Sequence, residues 1–484
     1  MPEAAPQAIE TLIDRGSFAL STPPIEASDP LAYPSYGETL GRARERSGSP
    51  ESVHAGAAAI GGIDVELAAF DFSFMGGSMG SAAGETLARA MDRAAARRVP
   101  FVLRTATGGA RMQEGMVSLA QMPKVAAARV DLARAQQPFV AVLGHPTTGG
   151  VLASLGALAD VTIAEEGATI GFAGPRVVEA ATGRSLADDS HTAASASAAG
   201  LVDAVVDGRS VRGALQTVLV VLAAPSIPEV ADAPEAPVSA RRDPWESLQD
   251  VRSPEWPRAP ELARAMAQSM FELRGDRAGT DDPACFAALA RVAGTKVLVL
   301  ALDRSVAPGP GAYRKAVRSV RVAARLGIPV VTLVDTGGAD PSERSEAGGV
   351  AWAIAELFET MLSAPVPIVS VLTGEGGSGG ALAFACGDVL LAYEGAVFAV
   401  IAPELAAEIM WRDPARAPEA ARLLKMGAAD LARLGLCDGI LAGRPDPRSL
   451  AAALAYHLGR SGIADSGAAP DDVRRQRWRD RRGH

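Results

Sequence analysis

Short apolar runs alternate with amphipathic stretches along most of this 484-residue chain. The runs FVLRTA, from Phe101, and VVTLVD, from Val330, have the length and β-branched content of buried parallel strands. An amphipathic stretch precedes the first run, and its apolar positions share one helical face: Leu87, Ala90, Met91, Ala94 and Ala95. AYRKAVRSVRVAARLG precedes the second run with the same pattern. These elements predict layered α/β domains with ligand sites beyond the carboxyl ends of their strands.

The two halves of the chain resemble each other in the order and spacing of their segments. GGIDVELAAFDFS parallels AGTKVLVLALDRS, RRVPFVLRTATGGA parallels RLGIPVVTLVDTGGA, PFVAVLGHPTTGG parallels PIVSVLTGEGGSGG, and EEGATIGFAGP parallels YEGAVFAVIAP. A shared order of this kind indicates an internal duplication.

The composition also changes along the chain in a way that predicts its domains. The segment 223–260 is rich in proline with scattered charges, so we expect an inter-domain linker there. It separates domains at 51–222 and 261–460. Residues 1–50 show little pattern and are expected to form an N-terminal arm. Residues 461–484 are expected to form a mobile, basic tail.

Glycine turns follow the apolar runs in both halves. Gly149-Gly150 and Gly379-Gly380 each lie between an apolar run and a helix of small residues. An earlier TGGA turn occurs at 107–110 and again at 336–339. The first amides of a helix have no intrahelical partner, so they can stabilise a developing oxyanion.

These glycines have a simpler explanation, which is tight packing between a strand and the next helix. For a single pair of glycines we favour that explanation. Four paired turns in register favour a function, because two turns in one unit can supply two N–H donors to one oxygen.

The overall composition limits the classes of function. Hydrophobic residues make up 48% of the chain and charged residues 21%, which is typical of soluble globular proteins. The net charge of −9 argues against a nucleic-acid partner. No apolar run approaches the roughly 20 residues of a membrane span, and the N-terminus lacks a secretory pattern. Cys285, Cys386 and Cys437 have no metal-ligand spacing and indicate buried thiols. We therefore expect a cytoplasmic protein with no membrane association.

At these motifs the sequence resembles the carboxyltransferase component of acetyl-CoA and related acyl-CoA carboxylases. TGGARMQEGMVSLAQMPK, HPTTGGVLASLGALAD and ATIGFAGPRVVE resemble the β subunit. FELRGDRAGTDDPA, GAYRKAVRSVRVAARLGIPVVTLVDTGGA, GEGGSGGALAFACGD and IAPELAAEIMW resemble the α subunit. The resemblance covers about 55–207 and 260–445, with the β-like part first.

The resemblance implies an α/β fold of two tandem crotonase-like domains. It also implies transfer of a carboxyl group from carboxybiotin, held on a separate carrier protein, to the α-carbon of acetyl-CoA or a related acyl-CoA. The implied partners are a biotin carboxyl carrier protein and a biotin carboxylase. A homo-oligomer is expected, with the first half of one protomer facing the second half of another.

By the same resemblance, the first half binds the acyl-CoA and the second half receives biotin. The implied oxyanion-hole residues are Gly149 and Gly150 for the thioester and Gly379 and Gly380 for the ureido oxygen of biotin. The implied acyl-CoA contacts are Gly108, Gly109, Ala110, Arg111, Phe172, Ala173, Gly174 and Pro175. The implied biotin contacts are Gly337, Gly338, Ala339, Gly376, Gly377, Ala402 and Pro403.

Several polar residues near these motifs have competing interpretations. Arg111 is a candidate for contact with CoA phosphates, because fixed cations suit phosphate recognition. The basic stripe of Arg314, Lys315, Arg318 and Arg321 is another candidate, but a solvated helix face is the favoured interpretation. His145 precedes the PTTGG turn, and a structural or capping role is favoured over a catalytic base.

The sequence departs from the family pattern at several places, including the zinc ribbon and the α motif. No cysteine precedes Cys285, so the zinc ribbon usual at the start of β subunits is not expected, and no metal is expected in this chain. The α motif, commonly DTPGA, is DTGGA at 335–339.

Two other functions stay open at this point. A malonyl-thioester decarboxylase would use the same enolate-binding amides in the reverse direction. A non-catalytic scaffold subunit would retain the fold, although such a protein would tolerate side chains in the glycine turns.

Overall fold

The computed structural model describes residues 5–21, 24–224, 226, 229, 242–461 and 469–480. The chain divides into two compact units. Unit 1 comprises Met1–Ala224 with Arg277–Gly279, and unit 2 comprises Pro225–Asp276 with Thr280–His484.

Unit 1 is built on one sheet, which has eight strands among the described residues. The strands are β1 (Ala19–Leu20), β2 (Val53–Ile60), β3 (Ile63–Phe70), β4 (Phe101–Thr107), β5 (Phe139–Thr148), β6 (Val161–Glu165), β7 (Ile170–Gly171) and β8 (Ala204–Val206). Their order is β1-β2-β3-β4-β5-β6-β8, and β7 pairs with the end of β5. The pairs from β3 to β8 are parallel, whereas β1, β2 and β3 are antiparallel.

The helices of unit 1 are α1 (Ala5–Leu12), α2 (Tyr36–Ser47), α3 (Ser81–Arg97), α4 (Gly115–Leu119), α5 (Gln121–Arg134), α6 (Gly149–Ser154), α7 (Pro175–Thr182), α8 (Ala193–Ala198) and α9 (Val211–Leu222). The predicted stripe on α3 is confirmed: Leu87, Ala90, Met91 and Ala94 are fully buried against the sheet. Full burial of a side chain the size of Leu87 contributes about 1.5–3 kcal/mol.

The segment predicted as an N-terminal arm contains α1 and α2, and both helices are packed. α1 buries Ile9 and Leu12, and α2 buries Tyr36 and Leu40 against Phe74. The sequence does not reveal these helices because each presents only three or four apolar positions, which is too short a pattern to recognise without its packing partner.

Unit 2 repeats the sheet of unit 1. Its strands are β9 (Ser269–Glu272), β10 (Cys285–Val292), β11 (Thr295–Leu302), β12 (Val330–Thr336), β13 (Ile368–Gly377), β14 (Val389–Tyr393), β15 (Val397–Ala399) and β16 (Gly439–Leu441). Within the described part of the chain their order is β9-β10-β11-β12-β13-β14-β16, with β15 on the end of β13. β4 and β12 even share an irregularity in register, before Thr107 and Thr336 respectively. The observed topology therefore matches the predicted duplication.

The helices of unit 2 are α10 (Pro244–Val251), α11 (Ala259–Met266), α12 (Pro310–Leu326), α13 (Glu343–Ala347), α14 (Val350–Ser363), α15 (Ser378–Ala385), α16 (Pro403–Trp411), α17 (Ala417–Leu423), α18 (Ala428–Arg433), α19 (Pro447–Ser461) and α20 (Pro470–Asp480). On α12 the solvated-face interpretation is wrong for Lys315, which is buried. Its Nζ lies 2.6 Å from Asp281 and donates to the Cys285 carbonyl. The sequence alone does not show that Asp281, which is distant along the chain, pairs with Lys315.

The range predicted as a linker contains α10 and the start of α11. Leu248 and Trp256 are fully buried, and Trp256 Nε1 donates to the Thr373 carbonyl at 2.8 Å. Pro244 and Pro260 lie in the first turns of their helices, where a missing N–H has no cost. These two prolines therefore begin helices, which the composition of the segment alone does not reveal. Residues 225, 227–228 and 230–241 of the predicted linker lie outside the described residues.

The predicted basic tail contains α20. Arg474 is buried and pairs with Asp388 at 2.9 Å, and its guanidinium also donates to the carbonyls of Ala364 and Val366. The expectation of a mobile tail does not hold for α20, because these acceptors fix the helix. The rest of the tail, 462–468 and 481–484, lies outside the described residues.

The described residues contain neither a metal-binding cluster nor a membrane-spanning helix. No group of His, Cys, Asp or Glu among them could hold a metal ion. No helix in the described ranges is both long enough and apolar enough to cross a bilayer. Cys285, Cys386 and Cys437 are buried and form no disulfide within the described residues, and burial raises the pKa of the Cys285 and Cys386 thiols to about 12.

Replacing Arg474 should destabilise unit 2 selectively. We expect Arg474→Ala to lower the free energy of unfolding by about 3 kcal/mol, because Asp388 and three buried carbonyls, those of Met361, Ala364 and Val366, lose their donor. Arg479→Ala is the matched control, since Arg479 is exposed on the same helix. Urea denaturation followed by tryptophan fluorescence measures both changes. Equal stability of the two variants would contradict a structural role for α20.

Candidate functional site

The glycine turns of unit 1 lie at the carboxyl ends of two neighbouring parallel strands. β4 ends at Thr107 and leads into Gly108, Gly109 and Ala110, while β5 ends at Thr148 and leads into α6. Because β4 and β5 are paired in parallel, their carboxyl ends lie at the same edge of the sheet. The two predicted turns are therefore brought together.

These two turns approach each other at contact distance. A Cβ atom placed on Gly149 would lie 3.0 Å from Cα of Gly109, and one on Gly109 would lie 3.2 Å from Cα of Gly149. Both residues also have positive φ, +67° and +109° respectively. Glycine is required at both positions for space and for conformation.

Most amides in these turns are already used within unit 1. Gly108 donates to the Gly76 carbonyl and Gly109 to Thr107 Oγ1, both at 2.9 Å. Gly149 donates to the Phe172 carbonyl at 2.9 Å. By contrast, no oxygen of the described residues accepts from the amides of Ala110 and Gly150. The two amides left available are thus one from each turn.

Unit 2 forms the same pair of turns, which follow β12 and β13. A Cβ on Gly377 would lie only 2.0 Å from the Gly337 carbonyl oxygen. Gly338 has φ of +131°, and its amide donates to Thr336 Oγ1 at 3.3 Å, as Gly109 does to Thr107 in unit 1. The DTGGA variant of the motif therefore forms a turn like that of unit 1.

The strand register corrects the predicted correspondence between the turns. Thr107 pairs with Thr147 in unit 1, and Thr336 pairs with Gly376 in unit 2. Counting onward from these pairs, Ser378 occupies the place of Gly149, and Gly379 that of Gly150. Ser378 has φ of +57°, close to that of Gly149.

In unit 2 the amides that correspond to those of Ala110 and Gly150 belong to Ala339 and Gly379, and no oxygen of the described residues accepts from the Gly337 amide either. Gly380 has another role: a Cβ there would lie 2.5 Å from the Tyr313 hydroxyl and 3.1 Å from Ala339 N. The sequence does not reveal this difference, because the Gly-Gly pairs of the two halves align by residue type, whereas a serine occupies the left-handed position in unit 2. A serine at positive φ has no reliable sequence signal.

A cavity of about 1140 Å³ lies beside the turns of unit 1. Of the predicted acyl-CoA contacts, Gly108, Ala110, Arg111, Gly174 and Pro175 line it. Gly109, Phe172 and Ala173 do not appear in its lining, although Phe172 is 70% exposed. Further lining residues, which sequence reasoning did not single out, include Thr39, Arg42, Arg46, Phe72, Met75 and Gln113.

The expectation that Arg111 contacts a CoA phosphate does not fit its surroundings. Its side chain is completely buried, and its guanidinium donates to Glu51 at 2.8 Å, to Glu114 at 3.3 Å and to the Ser78 carbonyl. Although burial alone lowers the pKa of this guanidinium, the hydrogen bond to Glu51 contributes to a raised pKa. Tyr36 completes the cluster by donating to Glu114 at 2.7 Å. Arg111 thus holds the adjoining turn at 107–110 in place through buried carboxylates.

His145 lies on the wall of the same cavity. Its Nδ1 accepts a hydrogen bond from the Thr169 amide at 3.2 Å. This contact agrees with a structural role, in which the ring joins the end of β5 to the segment before β7.

Charged side chains hold the turns of unit 2. Arg304 Nη1 lies 2.6 Å from Asp335, and Asp335 accepts from the Glu375 amide, which links the ends of β12 and β13. Burial raises the pKa of the Asp335 carboxyl to about 6, against the opposing effect of Arg304. Arg252 binds Glu375 with two hydrogen bonds and also pairs with Glu404.

The last two predicted biotin contacts lie where α16 begins. Ala402 is the N-cap of that helix and Pro403 its first residue. Gly174 and Pro175 occupy the same positions in α7 of unit 1. The structure thus places both predicted pairs at equivalent helix starts.

Comparison with known proteins decides the family. Residues 227–453 match the family described as acetyl co-enzyme A carboxylase carboxyltransferase-like. The acetyl-coenzyme A carboxylase carboxyl transferase subunits beta/alpha of Salinispora tropica are 43% identical over 471 residues, covering 92% of this chain and 82% of the relative. The chain belongs to the acetyl-CoA carboxylase carboxyltransferase family. A probable biotin-dependent acyl-coenzyme A carboxylase beta3 subunit of Mycobacterium tuberculosis is 38% identical over 444 residues, 90% of this chain and 88% of that protein.

Solved structures agree with this carboxyltransferase assignment at the level of the fold. Transcarboxylase 12S, solved with methylmalonyl-coenzyme A bound, matches with a TM-score of 0.76 at 24% identity, covering 97% of this chain and 93% of that one. The prediction of two tandem crotonase-like domains is confirmed. The β-then-α order predicted for this carboxyltransferase is confirmed by its fused relatives.

A methyl group on Gly377 should separate the two turns of unit 2. We expect Gly377→Ala to lower the free energy of unfolding by about 1–3 kcal/mol, because its Cβ would overlap the Gly337 carbonyl. Gly379→Ala is the control, since nothing lies within 4 Å of its Cβ position. Thermal denaturation of both variants measures the difference. A Gly377→Ala protein as stable as the control would show that the turns are not in contact.

Proposed function

We propose that this chain is the carboxyltransferase of a biotin-dependent acyl-CoA carboxylase, and that acetyl-CoA is its default substrate. In the reaction, the α-carbon of the thioester loses a proton and gains a carboxyl group. The thioester carbonyl oxygen carries negative charge as the enolate forms, so a catalyst must stabilise that charge.

One observation carries this proposal: in unit 1, each of two touching turns has an amide from which no oxygen of the described residues accepts. These are the amides of Ala110, which lines the cavity, and of Gly150, which follows the lining residue Thr148 by two positions and is not itself in the lining. Two preorganised N–H donors on one oxygen form an oxyanion hole, and removing one such donor typically costs about 2.7–4 kcal/mol of barrier. We assign these amides to the thioester oxygen of the acyl-CoA.

The turns of unit 2 fit the ureido group of biotin, which is neutral and polar. Ala339 and Gly379 offer amide donors without a formal charge, and the Cβ position of Gly379 is open. Asp335 and Glu375 have their charges paired with arginines, so they do not repel a developing oxyanion. When bound, carboxybiotin supplies an activated carboxyl group. The residues proposed to hold it are Ala339 and Gly379, in a turn shaped by Gly337, Gly338, Gly376, Gly377 and Gly380.

The proposed partners follow from the family. Carboxybiotin would arrive on a separate biotin carboxyl carrier protein, after a biotin carboxylase has charged it. We also propose a homo-oligomer, since transcarboxylase 12S, which shares the fold, is described as a hexamer assembly. With acetyl-CoA as substrate the product is malonyl-CoA, which would place the enzyme in fatty acid biosynthesis in the cytoplasm.

Biotin-dependent decarboxylation of malonyl-CoA tests the proposal by running it in reverse. We expect the purified chain to release carbon dioxide from malonyl-CoA only when biocytin, a soluble biotin derivative, is present. Release from a malonyl carrier protein without biocytin would instead indicate a malonyl-thioester decarboxylase. No release from either substrate would indicate a scaffold. Forward assays with acetyl-, propionyl- and longer acyl-CoAs and a carboxylated carrier then define the acyl group.

Replacing His145 should separate a structural imidazole from a catalytic base. We expect His145→Gln to retain kcat within about tenfold of the unmodified protein, because the amide oxygen can still accept from Thr169. Loss of a general base would typically cost about 10²- to 10⁴-fold. The biocytin-dependent assay measures this, and a loss in the larger range would assign His145 to proton transfer.

A further inference from the structure

Helix α2 presents a polar face to the cavity of unit 1. Thr39, Arg42, Ala43 and Arg46 follow one another at spacings of three, one and three residues, so they share one side of the helix, and all four line the cavity. The neighbouring side of α2 packs Tyr36 and Leu40 against Phe74. The helix is therefore anchored in a fixed orientation, with its arginines directed towards the cavity.

Both arginines have guanidinium N–H groups that make no hydrogen bond within the described residues. Arg46 Nε donates to the Ser73 carbonyl at 3.1 Å, and Arg42 Nη2 donates to Thr39 Oγ1 at 3.3 Å. Both side chains are exposed, and no carboxylate of the described residues lies within 4.0 Å of either guanidinium. An arginine has five N–H donors, so most of those on Arg42 remain open to a ligand.

The cavity is basic although the chain is acidic overall. Its lining includes Arg42, Arg46, Arg111 and His145 and contains no Asp or Glu, whereas the whole chain has a net charge of −9. Glu51 and Glu114, which do not line the cavity, pair with Arg111 and neutralise its charge. The positive charge available to a ligand therefore comes from α2.

We infer that Arg42 and Arg46 form a phosphate subsite for the CoA part of the substrate. This inference rests on the proposed function, because the lining runs from these arginines to Gly108 and Ala110, where the thioester is proposed to react. Arginine suits phosphate better than lysine does, since its planar guanidinium can donate two parallel hydrogen bonds. The subsite contributes to binding of the acyl-CoA and has no part in the chemical step.

Truncated substrates test the subsite directly. We compare malonyl-CoA, malonyl-dephospho-CoA and malonyl-pantetheine in the biocytin-dependent assay, using the double variant Arg42→Gln/Arg46→Gln. We expect KM for malonyl-CoA to rise by at least about tenfold with kcat little changed, because charge-assisted hydrogen bonds are lost. KM for malonyl-pantetheine, which lacks every phosphate, should stay the same.

The dephospho substrate identifies which phosphate is bound. If its KM does not respond to the double variant, the arginines bind the 3′-phosphate. If its KM rises as much as that of malonyl-CoA, they bind the diphosphate. The control is Arg134→Gln/Arg209→Gln, which removes two exposed charges of unit 1 outside the cavity lining.

Calorimetric titration with CoA itself keeps the inference testable if catalysis is absent. We expect CoA to bind the unmodified protein and the control variant at least about tenfold more tightly than it binds the double variant. Equal binding of CoA to all three proteins would overturn the subsite. An equal rise in KM for all three thioesters would also overturn it, because the effect would not depend on phosphate. Failure of the proposed function would appear differently, as intact CoA binding without any turnover.

Discussion

The structure depends on one steric constraint, the contact between two backbone turns at the carboxyl ends of neighbouring parallel strands. Gly149 touches Gly109 in unit 1, and Gly377 touches Gly337 in unit 2, at distances that leave no room for a side chain. In unit 1 each of the two turns keeps an amide from which no oxygen of the described residues accepts, those of Ala110 and Gly150. Donors fixed in this way need no reorganisation as charge develops, which is what makes such a site effective.

The two units surround this shared feature with different electrostatics. In unit 1 the turns border a cavity whose available charge is positive, which suits an anionic ligand. In unit 2 the turns are held by buried or partly buried ion pairs, Arg304 with Asp335 and Arg252 with Glu375. The duplication thus kept the backbone geometry and changed the side chains around it.

The sequence predicted the repeat, the main strands, the amphipathic helix α3 and the approximate place of the glycine turns, because each has a local periodic or compositional signal. Three features had no such signal. Ser378 adopts a positive φ that the amino acid does not reveal. Arg111 is buried and pairs with Glu51, a residue 60 positions away. The helix α10 starts with a proline in a segment whose composition indicated a linker. Long-range packing and backbone conformation determined all three.

The most direct test of the central claim compares kcat of Gly150→Pro and Gly150→Ala in biocytin-dependent decarboxylation of malonyl-CoA. In both variants the new Cβ meets the flexible Met122 side chain, but only proline removes the amide. Gly149 precedes the substituted position and, because it is a glycine, tolerates a proline ring on the next residue. The account predicts that kcat of the proline variant falls about 10²- to 10³-fold below that of the alanine variant. Equal kcat values in two folded variants would contradict it.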